Sequence, residues 1–219
     1  MENIIYSDFI KPCESENYII EHFFVPVEYI DDDNHIMSVG SYIKLLYKHV
    51  PNKIIMSTTE YEIDTNNDFA HEAYGDVLIG GLGLGVVLLL LRENIDVKHV
   101  TVIEKEREII DLVWRQLQLD SRFNIIHGDC FYYTPNKKFD CMYFDIWEEI
   151  CASNCIEMEL LNQKYTQFLK STTGFISHWV EAECYELADS HGGCPYCQSK
   201  RRHKNNKREL GARQKIAEV

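Results

Sequence analysis

The pattern of hydrophobic and polar positions changes character near residue 75. Before it, apolar and polar residues mix with no single period. Residues 18–26 (YIIEHFFVP) read as an extended segment closed by a proline, and 31–34 (DDDN) as a turn. Residues 41–49 (SYIKLLYKH) carry apolar side chains at helical spacing and stop before Pro51, so a helix is expected there. A short hairpin is expected from 53–57 and 61–63, followed by a polar loop at 64–68 (DTNND). The chain shows no internal repeat and no low-complexity segment.

From Gly75 to about residue 180 the pattern is regular. Short apolar runs at 76–80, 99–104, 124–127, 139–145 and 173–180 predict strands. Stretches at 85–93, 107–119 and 158–169 predict helices; the second places Ile109, Ile110, Val113, Trp114 and Leu117 on one face. Alternation of strand and helix predicts an α/β three-layer sandwich with a mostly parallel sheet. The expected organisation is an N-terminal, substrate-side segment (1–70), a ligand-binding α/β domain (71–189) and a short C-terminal appendage (190–219).

The junction of the first regular strand and helix holds the clearest chemistry. VLIGGLGLG (77–85) ends an apolar run in three alternating glycines, Gly81, Gly83 and Gly85, just before an apolar helix. The next strand, VTVIE (100–104), ends in Glu104, 19 residues beyond Gly85. Strand, glycine turn, helix, strand and acid together place backbone N–H groups and a carboxylate beside a nucleoside-type ligand. A dehydrogenase-type dinucleotide site shares this layout, but that fingerprint wants Gly or Ala at the position held by Val86. Two later strands also end in acids, at Asp129 within GDC (128–130) and at Asp145 within FDCMYFDIW (139–147). The dehydrogenase reading gives them no role.

Composition narrows the partners. The net charge is −13 over 219 residues, yet residues 198–219 hold eight Lys/Arg against two Asp/Glu. An acidic body disfavours phosphate-backbone binding by the main surface; nucleic acid remains an option only for the basic tail, beside a solvated end. The first residues lack the basic and apolar regions of a signal peptide, and no apolar run is long enough to span a bilayer. Eight cysteines without a secretory signal point to a reducing, cytoplasmic setting.

Taken together, VLIGGLGLG (77–85), VTVIEKEREII (100–110), GDC (128–130) and FDCMYFDIW (139–147) resemble the class I S-adenosylmethionine-dependent methyltransferases, and within them the spermidine-synthase-like branch. The resemblance runs over roughly residues 53–180. It implies a Rossmann-like fold and S-adenosylmethionine as cofactor, in decarboxylated form if the spermidine-synthase likeness extends to the reaction. Gly81, Gly83 and Gly85 would then admit the methionine moiety and ribose. Glu104 would accept from the ribose hydroxyls, and Asp129 from the adenine amino group with Cys130 packed nearby. Asp145 would face the transferred group as the catalytic acid or base, with Trp147 beside the acceptor and residues 58–62 in the pocket wall. The expected activity is methyl transfer to an unidentified acceptor. The alternatives are aminopropyl transfer, in which Asp145, Glu148 and Glu149 attract a cationic acceptor, and a non-catalytic cofactor-binding role with a partner-binding tail. In three places the chain departs from the pattern: Ile79 and Leu84 stand where relatives carry acids, and Ile146-Trp147-Glu148-Glu149 follows Asp145.

Cys194-Pro-Tyr-Cys197 admits three readings. Zinc would need two more ligands from Cys184, His191 and His203 and is not expected. A redox pair would need a thioredoxin-like fold after it, and 22 residues remain. Otherwise the thiols are free. Cys130, Cys141, Cys151 and Cys155 read as small apolar fillers, and His178 as a structural histidine.

Overall fold

The computed structural model describes residues 6–31 and 35–190. These divide into two compact units. One takes in the described residues up to Glu148 and the segment Tyr165–Trp179; the other takes in Glu149–Lys164 and the described residues from Val180 onward.

The first unit begins with a short helix, α1 (Tyr6–Phe9), and an antiparallel sheet. Its strands are β1 (Cys13–Glu14), β2 (Tyr18–Val25), β5 (Gly40–Tyr47) and β6 (Ile54–Ser57), in the order β1-β2-β5-β6. Strands β3 (Tyr29–Ile30) and β4 (Ile36–Met37) pair separately. The helix expected over 41–49 is therefore a strand to Tyr47, followed by a turn. β5 pairs with β2 along its whole length, from Val25↔Gly40 to Tyr18↔Tyr47, and with β6 on its other edge. Tyr42, Ile43, Leu45 and Leu46 are all buried. A central strand with apolar residues on both faces imitates helical spacing, and tertiary pairing decides between the two.

The hairpin expected from 53–57 and 61–63, and the loop at 64–68, are also replaced. Residues 54–57 pair with β5, and a single helix, α2 (Glu60–Glu72), follows. Its polar run closes back onto the helix: Thr65 Oγ1 and Asn66 Nδ2 both donate to the Glu62 carbonyl, at 3.0 and 2.9 Å. Asn66, Phe69 and Ala70 are buried. Burial of that face outweighs the turn preference of Asp and Asn.

The remaining elements follow the expected alternation. They are β7 (Gly75–Gly80), α3 (Val86–Glu93), β8 (Val97–Glu104) and α4 (Arg107–Ile109), which continues as a π-helical turn, Ile110–Trp114. Then come β9 (Phe123–His127), β10 (Cys141–Phe144), α5 (Asn154–Tyr165), a 3-10 turn (Thr166–Phe168), β11 (Phe175–His178) and α6 (Glu181–Ser190). Helix α3 is buried from Val86 to Leu91, which explains its unbroken apolar run. The strands β11-β10-β7-β8-β9 form one sheet, and every pairing is parallel. All of β10 and the last five residues of β8 are buried, so both faces of the sheet are covered. Numbered along the chain, the order is 5-4-1-2-3, reversing direction between β7 and β10. That is the doubly wound order, with its switch point beside the first strand. The fold is Rossmann-like.

The second unit contains most of α5 and all of α6. Asn154 is buried and donates to the Glu149 carbonyl at 2.8 Å; Cys155, Met158, Leu161, Val180, Cys184 and Ala188 are its buried apolar residues among those described. Among the described residues no helix is long and apolar enough to cross a membrane.

Candidate functional site

The carboxyl ends of β7, β8, β9 and β10 form a continuous rim, stitched by backbone hydrogen bonds. The Asp145 N–H donates to the Gly80 carbonyl at 2.8 Å, the Gly81 N–H to the Ile103 carbonyl at 2.9 Å, and the Gly128 N–H to the Glu104 carbonyl at 2.8 Å. Ligands of such sheets bind outside this edge, at the switch point. The rim brings Gly81, Gly83, Gly85, Glu104, Asp129, Cys130 and Asp145 to the same end of the sheet.

The glycines are required by geometry. Gly81 has φ +97°, and a Cβ there would run into the Asp145 carbonyl oxygen. Gly83 has φ +48°, and a Cβ there would meet the sulfur of Met56 from β6. The loop then enters α3 through Gly85, its N-cap in the left-handed region.

Glu104 is buried, and both of its carboxylate oxygens are occupied. Oε2 accepts the Leu82 N–H of the glycine loop at 2.8 Å, and Oε1 accepts the Glu106 N–H at 2.7 Å. Burial pushes this carboxyl above the ordinary carboxylate range, and the two N–H groups pull it partly back. Each oxygen of a carboxylate accepts about two hydrogen bonds, so the pair retains capacity for two further donors.

Asp129 folds back on its own turn: its Oδ1 accepts the Phe131 N–H at 2.7 Å, and its carbonyl accepts from Tyr132 and Tyr133. Cys130 is buried with its sulfur against the backbone of Gly80. Asp145 lies just beyond β10, half-buried, and burial raises its carboxyl. Trp147 meets the His178 ring edge-on at 5.7 Å, and His178, buried at the end of β11, stacks on Phe144 at 5.6 Å.

Helix α2 adds residues to this end of the sheet. Its N-terminus follows Thr58, which is buried and accepts the Ile43 N–H at 2.9 Å. Phe69 stacks on Tyr143 of β10, with ring centroids 4.5 Å apart. Two turns earlier on the same face, Glu62 is raised first by burial and then by the charge of Asp145. Of these, only the 58–62 stretch is named from the sequence, as an expected pocket wall. Asn66 sat in a run read as a loop, though the spacing Glu62, Asn66, Phe69, Ala73 is a helical face. Tyr143 sat in an apolar strand without any distinguishing signal.

Met56 was not foreseen either: its sulfur accepts the Leu84 N–H at 3.1 Å and covers the glycine loop. Glu148, expected among the acids that attract a cationic acceptor, is engaged elsewhere. It accepts from Tyr47 Oη at 2.5 Å and pairs with Lys53 at 3.3 Å.

Cys194, Cys197, His191 and His203 lie outside the described residues. Cys184, the remaining zinc candidate, is buried in α6. Among the described residues no group of three or more His, Cys, Asp and Glu is placed to hold a metal ion.

No family model and no curated protein matches the chain. Solved structures do. The N-methyltransferase NodS from Bradyrhizobium japonicum WM9 is 15% identical, over 53% of this chain and 62% of its own, with a TM-score of 0.41. A SAM-dependent methyltransferase from Thiobacillus denitrificans, in complex with S-adenosyl-L-homocysteine, is 23% identical over 54% and 47%, with a TM-score of 0.40. A SAM-bound amino pentose methyltransferase from Micromonospora echinaspora is 17% identical over 52% and 45%, with a TM-score of 0.38. The chain spans about half the length of the solved structures it matches.

Proposed function

We propose that this chain binds S-adenosylmethionine at the rim of the parallel sheet and transfers its methyl group to a second substrate. The observation that carries the reading is Glu104. It is a buried carboxylate at the end of the second strand, held by an N–H of the glycine loop itself, with acceptor capacity left on both oxygens. That arrangement suits a ribose diol, and the glycines beside it take the positive φ of the loop without strain. The residues present thus fit the group.

In this reading Gly81, Gly83 and Gly85 border the methionine and ribose, Glu104 holds the ribose, and Asp129 and Cys130 flank the adenine. Asp145 faces the acceptor. When bound, the sulfonium supplies an activated methyl group with a good leaving group. The chain's own work is then to orient the two substrates and exclude water. A carboxylate at Asp145 also favours a cation beside it and accepts a proton from an acceptor that loses one.

Calorimetric titration with S-adenosylmethionine and S-adenosylhomocysteine tests the reading. Micromolar binding of both is expected. Glu104→Ala should weaken it about 100-fold, since it removes two charge-assisted hydrogen bonds to the ligand. Absence of binding, or an unchanged affinity in Glu104→Ala, would overturn it. Titration with the decarboxylated donor separates methyl from aminopropyl transfer: tighter binding of the carboxylated form is expected.

A further inference from the structure

Four oxygen-bearing side chains gather between α2 and the end of β10, and the mechanism above uses only one of them. Glu62, Asn66 and Phe69 fall on one face of α2, four and three residues apart. Tyr143 and Asp145 fall on one side of β10 and its extension, two residues apart. The Phe69–Tyr143 stack fastens the two faces together. Helix α2 runs antiparallel to the strands, ending just before β7 begins, so Glu62, two turns before Phe69, lies toward the same end of the sheet as Asp145, two residues after Tyr143.

Two of the four present buried, unpartnered oxygens. The Tyr143 hydroxyl and the Asn66 side-chain oxygen have no hydrogen-bond partner among the described residues, and the two residues are 1% and 0% exposed. The Asn66 amide nitrogen is already committed to the Glu62 carbonyl, which leaves the oxygen as its remaining polar group. A buried polar atom without a partner is costly, and nearly all such atoms in native proteins are satisfied, so these two oxygens call for a donor from outside the side chains described. Glu62 and Asp145 are half-buried, open enough for a ligand to reach.

We propose that Glu62, Asn66, Tyr143 and Asp145 form the pocket for the protonated amino group of the acceptor substrate. The inference rests on the methyltransferase reading and adds the chemical class of the acceptor. The set offers two carboxyl groups, an amide oxygen and a hydroxyl. An ammonium group brings three N–H donors and one positive charge, which such a set satisfies. An anionic acceptor would meet two carboxylates, and a neutral alcohol would leave most of the acceptors empty. The electrostatics agree. Burial raises Asp145; burial and then Asp145 raise Glu62; and burial, then Asp145 and Glu62, raise Tyr143. Two carboxyls that resist ionising beside each other are both favoured in the charged form by a cation held between them. Glu62 is a positioning residue here, acting on the amine rather than on the transferred group.

The test uses the full chain labelled with 13C at the tyrosine ring carbon bearing the hydroxyl, with the Tyr143 signal assigned by Tyr143→Phe. Butylamine, 1-butanol and butyrate are titrated as cationic, neutral and anionic probes of one size. Butylamine is expected to shift the Tyr143 signal with a roughly millimolar dissociation constant, as befits so small a ligand, and the other two at least about ten-fold more weakly. Glu62→Gln and Asp145→Asn, which keep side-chain shape, should each weaken butylamine about ten-fold. Butanol or butyrate binding as well as butylamine, no shift with butylamine, or unchanged affinity in Glu62→Gln would overturn the proposal. The comparison of probes on the unaltered chain needs no variant to fold. S-adenosylhomocysteine affinity is measured on the same samples. Binding of that ligand without amine selectivity sinks the pocket alone, whereas its absence sinks the methyltransferase reading.

Discussion

At the scale of single residues, carboxylates at the rim of the sheet are held in an unfavourable state. Burial raises Glu62, and the charge of Asp145 raises it further. A raised folded value means the native state keeps a proton that the unfolded chain has released. Stability is then fully present below the ordinary carboxylate range and is lost as pH rises toward the folded value. Glu62→Gln removes that loss. It should be more stable than the wild type at about pH 8.5, on the order of 1 kcal/mol, with the gap closing near about pH 5. Thermal unfolding at the two pH values checks this; a gap that is equal at both would argue against a strained Glu62. If the proposed pocket is a ligand site, stability held back there is the expected exchange.

At the scale of elements, α2 is the part whose identity local sequence conceals. Residues 64–68 carry turn-forming side chains, and the helix survives because Thr65 and Asn66 bond back to Glu62 while Phe69 and Ala70 are buried. Phe69 touches both Tyr143 and Phe175, at 4.5 and 5.9 Å between centroids. Phe69→Ala should therefore cost about 3–5 kcal/mol in denaturant unfolding. It should also free Tyr143, so that the tyrosine ring signal broadens or moves. A loss below about 1 kcal/mol would mean that α2 is not fastened to the sheet through this stack. The strand β5 makes the same point in the opposite sense: its helical spacing is an accident of burial on both faces. By contrast, β7, α3 and β8 were legible in advance. The glycines and the unbroken apolar run of α3 leave little choice of structure there.

At the scale of the whole molecule, the two ends of the parallel sheet treat their acids in opposite ways. At the amino end Asp76 of β7 pairs with Lys137 at 3.1 Å, with Lys170 and with His99 at 3.0 Å, and Lys170 also reaches Asp140 at 2.7 Å. Burial pushes Asp76 up, but the hydrogen bonds from Lys170 and Lys137 outweigh it and hold the carboxyl below its ordinary value. The sign is therefore the reverse of Glu62: this stability is present above the unfolded value and is lost as pH falls through the folded one. Asp76→Asn should lower stability by about 1–2 kcal/mol near neutral pH, with the deficit vanishing in acid below the carboxylate range. Chemical denaturation across pH measures it, and a deficit that persists in acid would assign the role to packing instead. Asp76 is thus paired with cations at one end of the sheet, while at the other end Glu104 is held by backbone N–H groups and Glu62 is raised by burial and by Asp145.

The sequence by itself determined the β7–α3–β8 unit, the parallel α/β class and the row of acids at the strand ends. Those features follow from local rules: glycine where φ is positive, apolar runs where strands are buried on both faces, and polar residues where strands stop. Only the tertiary structure decided that 41–47 is a strand and that the polar run at 64–68 lies within a helix. It also decided that Met56 covers the glycine loop, that Glu148 is committed to Tyr47 and Lys53, and that Glu62 stands with Asp145. Each of the five depends on a partner distant along the chain. For the strand at 41–47 and the helix through 64–68, burial against that partner outweighs local preferences that favour another structure by only a fraction of a kcal/mol to about 1 kcal/mol per residue.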